Sequence, residues 1–238
     1  MPIILAIETS SELASAALLR GDTLLVRESS GVQTHSQTLL PMVQSILAQA
    51  DVRLSQCAAI AFGAGPGSFT GVRTACGVAQ GLAFGSNLPL VSIVTLQAMA
   101  EACRVDTGAH EVLAVLDARM GEVYWAQYSY ADVWKTVVAP TLSAVADVVP
   151  QHKDGLVACG NGFVAYPGEF ALRAHSHPWI QQARTEVMPH AAQVAQLART
   201  AFIAGQRLTP EQAQPIYLRN KIALTTEERL ALKAGVYK

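Results

Sequence analysis

The chain has 238 residues and balances seventeen Lys and Arg against eighteen Asp and Glu; it is 51% hydrophobic and only 15% charged. This composition excludes a disordered polyelectrolyte and suits one large domain or two lobes of roughly 100 to 120 residues each. A net charge of −1 also argues against autonomous high-affinity nucleic-acid binding, which needs clustered Lys and Arg, so any link to RNA is expected to run through a partner. Cys57, Cys76, Cys103 and Cys159 form no C-x-x-C pair, which points to reduced thiols and away from a zinc knuckle or redox motif. The opening apolar run is interrupted at Glu8, and no window resembles a membrane span, so a cytoplasmic chain is expected.

In chain order, residues 3–7 form an apolar run ending at Glu8, followed by a polar turn, an apolar run at 13–19, a Gly21-Asp22 turn and a short run at 24–26. This pattern predicts three antiparallel strands. Residues 112–116, ending at Asp117, and residues 123–128 repeat the opening, so a duplicated architecture is expected, with the halves dividing near residues 106–110.

Two helices are predicted between the copies. The first starts near Ser36 and aligns Leu39, Leu40, Val43, Ile46, Leu47 and Ala50; Pro41 is tolerated in the first turn and kinks the helix if it lies deeper. The second, near residues 71–83, carries two small-residue rows: Gly71, Ala75, Ala79 and Ala83 on one, and Gly77, Gly81 and Gly85 on the other. Glycine costs about 1 kcal/mol per residue in a helix, so something must pack closely against these rows, either the chain's own sheet or another subunit. A further Ala-rich helix is expected over residues 190–204.

The most conspicuous string, residues 63–73, is a strand feeding a glycine loop and then a helix. That order can aim backbone N–H groups at a phosphate, yet the string is neither a Walker A loop nor G-x-G-x-x-G; the alternative is a loop of close backbone approach. Glu8 and Asp117, at the ends of equivalent strands, invite a metal or general-base reading. The turn after Glu8 (Thr9, Ser10, Ser11, Glu12) has no glycine, and Arg119 crowds the second turn, which argues against productive ATP hydrolysis. His175 and His177 offer a weak metal motif, and no H-x-x-x-H pair exists.

The strings LAIETS, HSQTLLP, GAGPGSFTGVRTACGVAQGLA, VLDARMGEVYWAQY and PIYLR, spread over residues 1–219, resemble the TsaB (YeaZ) family. The resemblance implies an α/β fold of the ASKHA (actin-like ATPase, ribonuclease H-like) type, with two lobes each built on a mixed sheet that opens with an antiparallel hairpin. The implied units are residues 1–107 and 108–219, with a tail at 220–238. It further implies a non-catalytic subunit for N6-threonylcarbamoyladenosine (t6A) formation at adenosine 37 of tRNAs reading ANN codons. Such a subunit pairs with the transferase TsaD, is joined by the ATPase TsaE, dimerises with itself when alone, and meets tRNA only indirectly and no membrane.

No catalytic residue, metal or cofactor is then expected in this chain, ATP and metal being used by the partners. Glu8, Thr9, Ser10, Asp117, Gly160 and Gly162 would be remnants of a degenerate nucleotide site. Carried over residue by residue, the pairing surface falls on Leu39, Leu40, Val43 and Leu47 of the first helix and Val72, Ala75, Ala79 and Leu82 of the second. Glu8 stands where Asp is more usual, and Gln37 where an acid is common. An ATP-dependent phosphotransferase of the same fold, using Glu8 and Asp117 around Mg²⁺, is the competing expectation.

Overall fold

The computed structural model describes residues 1–30, 35–151, 154–174 and 178–219. The His175 and His177 motif and the tail at 220–238 lie outside the described residues.

Strands β1 (Ile4–Glu8), β2 (Ala14–Arg20) and β3 (Thr23–Ser29) form the predicted meander, and β4 (Ala59–Gly65) and β5 (Leu90–Val94) extend it in parallel on the other side of β1. The sheet order is β3-β2-β1-β4-β5. Every β1 residue is buried because both faces of the sheet are covered, which is why the strand reads as a continuous apolar run. Leu5 and Ile7 face α1 (His35–Gln49) and α2 (Phe69–Ser86), whereas Ile4 and Ala6 face the opposite layer. Helix α1 runs through Pro41, which lies past the first turn with its ring exposed.

Helix α3 (Thr95–Thr107) leads to the second lobe, and the sheets divide between its end and β6 (Glu111–Arg119). The second sheet has the order β8-β7-β6-β9, with β7 (Glu122–Ala131), β8 (Val133–Ala144) and β9 (Leu156–Cys159). The β6–β7 pair is antiparallel and β6–β9 parallel, repeating the β1–β2 and β1–β4 relationship of the first sheet. One face packs on Leu96, Met99, Ala100 and Cys103 of α3. The other buries Leu113, Val115 and Trp125 against Phe163, Phe170 and Trp179, carried by α4 (Gly162–Ala165), α5 (Pro167–Ala174) and α6 (Pro178–Gln181).

The unit drawn at 108–219 needs correction. Helix α7 (Ala191–Ile203) buries Ala191, Val194, Ala195 and Ala198 against Ile4, Ala6, Ala61 and Ile93 of the first sheet. Ala213 and Ile216 belong with the core on that sheet's other face. The chain therefore returns to the first lobe after building the second, because the face of β1 left open by α1 and α2 needs a cover.

Candidate functional site

The C-terminal ends of β1 and β6 face one cleft of about 530 Å³, lined among others by Ser10, Glu12, Ser68, Asp117, Arg119 and Asn161. The two carboxylates singled out from the sequence stand in equivalent strands, Asp117 lining this cleft and Glu8 turned inward.

Glu8 is fully buried. Its Oε1 accepts from the Ser10 amide at 2.6 Å, and its Oε2 lies 3.5 Å from the Thr95 hydroxyl, which itself accepts from the Gly65 amide at 3.1 Å. Burial pushes the carboxyl's pKa up, against hydrogen bonds from Ser10, Thr9 and Thr95 that pull it down. Gly63 makes room for it: a Cβ there would lie 1.7 Å from Glu8 Oε2. The carboxyl is thus folded back into the first lobe and away from the cleft.

Asp117 is tied within its own lobe. Oδ1 accepts from the Arg119 amide at 2.8 Å and from the Tyr166 hydroxyl at 3.0 Å, and Oδ2 lies 3.2 Å from Arg119 Nη1. The Asp117 amide donates to Asn161 Oδ1 at 2.9 Å. Tyr166 also accepts from the Gly121 amide at 3.2 Å, so the turn's glycine N–H is directed to the phenol. Proximity to Asp117 adds to desolvation in raising the Tyr166 pKa, which keeps the phenol a donor. Gly160 and Gly162 serve close packing on β6: a Cβ at Gly160, whose φ is +109°, would lie 2.2 Å from Val115 O, and one at Gly162 2.6 Å from Val115 Cγ1. They flank Asn161, whose side chain accepts from the Asp117 amide.

Of the two readings of the glycine string, the structure selects close backbone approach. Cβ atoms at Gly67 and Gly71 would lie 2.5 Å from Ser10 O and 1.9 Å from Thr9 O. Those contacts are hydrogen-bonded: the Ser68 amide donates to Ser10 O at 2.7 Å, and the Thr9 hydroxyl donates to Gly71 O at 2.7 Å. The N-terminus of α2 is thereby bonded to the backbone of the first turn, and both border the cleft. Among the described residues, no three His, Cys, Asp or Glu side chains converge as a metal site.

The eight residues assigned to a pairing surface divide into two groups. Leu39, Val43, Val72, Ala75 and Ala79 are at most 2% exposed within the chain itself, and four of them sit in the core that joins α1 and α2 to the first sheet. These five cannot present side chains to another subunit, and a bulky residue at Ala79 would break the fold before it tested any pairing. Leu47 and Leu82 are half-buried at that core's edge, and only Leu40, 43% exposed, faces outward.

The outward face is instead made by Gln37, Leu40, Pro41, Gln44 and Ala48 on α1 and by Arg73, Gly77, Gly81 and Phe84 on α2. Phe84 is 76% exposed, and nothing within 4 Å would meet a Cβ at Gly77, Gly81 or Gly85. Of the two small rows, Gly71-Ala75-Ala79-Ala83 therefore lies on the sheet and Gly77-Gly81-Gly85 is open. Arg73 in phase with the open row is the sequence signal that distinguishes the two. Thr95, Tyr166 and Arg219, which fix the two turns, lie far from them in sequence and carried no motif.

The fold has known counterparts. A family model described as TsaD: tRNA N6-adenosine threonylcarbamoyltransferase matches residues 26–202. The tRNA threonylcarbamoyladenosine biosynthesis protein TsaB of Escherichia coli is 38% identical over 92% of this chain and 96% of its own length. The Haemophilus influenzae protein of the same name is 36% identical over 92% and 94%. A solved structure titled YeaZ from Pseudomonas aeruginosa is 36% identical and superposes with a TM-score of 0.80, covering 92% of this chain and all of that one. With near-full-length relatives at this identity and two mixed sheets of the expected ASKHA type, the chain belongs to the TsaB (YeaZ) family.

Proposed function

We propose that the chain serves t6A formation on tRNA as a partner subunit without transfer chemistry of its own. It pairs with TsaD, is joined through that pair by TsaE, leaves ATP and metal to those subunits, and meets tRNA through them. The observation that carries this reading is the outward face of α1 and α2. It is an apolar and small-residue surface, with Leu40, Pro41, Ala48, Gly77, Gly81 and Phe84, laid over helices whose other faces already fill the chain's own core. Bare glycine rows let a facing helix approach closely, and an exposed aromatic beside them suits an interface anchor. The inward and internally bonded positions of Glu8 and Asp117 support the same reading, since neither offers a free carboxylate at the cleft.

A homodimer through this face is the resting state of the proposal, exchanged for the heterodimer when TsaD is present. Among the described residues no helix is long and apolar enough to cross a membrane, which accords with assembly in the cytoplasm. Light scattering on a sizing column tests the scheme. The chain alone is expected near twice its 25.2 kDa mass, and near the sum of one chain and one TsaD in the mixture. Gly81→Trp, at a position open enough to leave the fold intact, is expected to abolish both species. No co-elution with TsaD, or undiminished pairing by Gly81→Trp, overturns it.

A further inference from the structure

The last described stretch of the chain crosses from one lobe to the other. Its first half is fixed to the first lobe: Gln80 Nε2 donates to Pro210 O at 2.8 Å and to Ala213 O at 3.1 Å, and the Ile216 amide donates to Ala64 O at 2.7 Å. Ala213 is 2% exposed in that lobe's core. Tyr217 stacks near Phe69 and accepts from Arg73 Nε at 2.8 Å. The next residue is already in the second lobe, with Leu218 packed against the core beneath β6 and β7.

Arg219 completes the crossing. Its guanidinium pairs with Glu122 at 2.6 Å and donates to Ala118 O at 3.0 Å and Arg119 O at 3.3 Å, with its side chain only 16% exposed. Those carbonyls belong to the β6–β7 turn, where Arg119, Met120 and Gly121 all have positive φ, at +62°, +60° and +78°. Non-glycine residues in that region are strained, so the turn holds its shape only where its surroundings impose it. The same turn sends Arg119 across the cleft to Glu12 at 3.2 Å, a contact between side chains 75% and 67% exposed. Exposed pairs of this kind contribute little. The shielded bonds of Arg219 therefore outweigh the direct bridge in holding the turn toward the first lobe.

We propose that residues 213–219 form an interlobe latch, with Arg219 as the positioning residue that fixes the β6–β7 turn and so sets the width of the cleft. The half anchored by Ala213 and by the Ile216 bond to Ala64 O stays on the first lobe; the Leu218 and Arg219 contacts are the part that releases, and the lobes open when they do.

The test uses the full chain, diluted with unlabelled chain so that only distances within one chain are read, with spin labels on Asp22→Cys in the first lobe and Val164→Cys in the second, both exposed positions, while the four native cysteines are buried. Electron–electron resonance then reads the interlobe distance. Arg219→Ala is expected to lengthen and broaden the distribution, and Arg219→Lys, which keeps a charge but loses the forked donor, to fall between it and the parent. Glu122→Gln, which removes the ion pair but leaves the bonds from Arg219 to Ala118 O and Arg119 O, is expected to shift the distance in the same direction by less, with the remainder appearing on adding Arg219→Ala. A distribution for Arg219→Ala that superimposes on the parent's overturns the proposal. Should that variant not fold, an unchanged distance in Glu122→Gln does so equally.

Discussion

Alanine at Gly71 and alanine at Gly77 are expected to change the stability of the isolated chain in opposite directions, although both residues lie in α2 and neither has a positive φ. In a helix interior the exchange gains about 1 kcal/mol from propensity alone. At Gly77 nothing lies within 4 Å of the added carbon, so that gain is realised in full. At Gly71 the carbon would stand 1.9 Å from Thr9 O and 2.9 Å from Thr9 C, and 3.0 Å is the closest approach that real Cβ atoms make. The backbone would have to retreat by about 1 Å, and Thr9 is held there by its hydroxyl bond to Gly71 O and by the neighbouring Ser68–Ser10 pair. Overpacking of this kind costs ~1 to 3 kcal/mol, and a clash with backbone belongs at the upper end, which leaves a net loss of about 2 kcal/mol. For a chain of this size 1 kcal/mol corresponds to roughly 2 to 4 °C in Tm. Circular dichroism melts of dilute chain should therefore show Gly77→Ala higher by about 2 to 4 °C and Gly71→Ala lower by about 4 to 8 °C. A Gly71→Ala melt at or above the parent would refute the account of the glycine loop as a site of backbone contact. A Gly77→Ala melt below the parent would refute the account of the open row.

Three other outcomes follow from the same geometry. Burial holds the Glu8 pKa above its ordinary value, so its protonated form favours the folded state. That contribution is complete below the unfolded carboxyl pKa and is lost as pH rises through the folded one; urea titrations at several pH values should show Glu8→Gln, an uncharged isostere, with a flatter dependence than the parent. His190 caps α7 by accepting from the Ala192 amide at Nδ1, 3.1 Å away, while Nε2 lies 3.3 Å from Glu28. Both contacts suit the neutral ring with its proton on Nε2, and burial lowers its pKa, so this stability is present above the ordinary imidazole pKa and lost as pH falls through the depressed one. His190→Asn, which keeps the cap, should abolish that loss, and His190→Ala should cost about 1 kcal/mol at neutral pH in the same urea titrations. Phe84→Ala should leave the dilute chain's Tm within roughly 1 to 2 °C of the parent. It should weaken association with TsaD by about 30-fold in calorimetric titration, as expected for an aromatic anchor; unchanged affinity would remove Phe84 from the interface.

The parts of the fold legible in the sequence are those whose burial pattern has a period. The meander of β1 to β3, the repeat in β6 and β7, and helices α1, α2 and α7 follow from apolar runs, turn residues and helical spacing. Helix α3 was not foreseen because it is buried on most sides between the two sheets, so residues such as Glu101 and Ala98 are inside together and no polar face marks it. Strand β8 was also missed: it is an edge strand, half-exposed throughout and broken by a register shift, with Pro140 in its length. At the site, the positions of Glu8 and Asp117 could be read, but the fate of their side chains could not. Thr95 is 87 residues from Glu8, and Tyr166 is 49 from Asp117. Such partners are visible only once topology brings them together, and the same holds for the two small rows of α2, whose phase against the sheet decides which is core and which is surface.

The two turns reach a similar end by different chemistry. In the first lobe the strand-end carboxyl is withdrawn against Gly63, and the turn's backbone is covered by α2 through Ser68 and Gly71. In the second the carboxylate stays at the turn, but Tyr166, Arg119 and Asn161 occupy its neighbourhood and Gly121 N–H is directed to the phenol. A phosphate group that took the Ser68 or the Gly121 N–H as a donor would have to displace the Ser10 carbonyl or the Tyr166 phenol. Each displacement leaves polar groups unpaired, at about 1 to 3 kcal/mol apiece. The same bonds join the first turn and α2 into a rigid unit. A helix anchored at its N-terminus in this way presents its open glycine row in a fixed place, which lowers the ordering cost of any subunit that docks on it. In this chain, the closing of the first turn and the fixed placing of the open face of α2 are two consequences of one set of contacts.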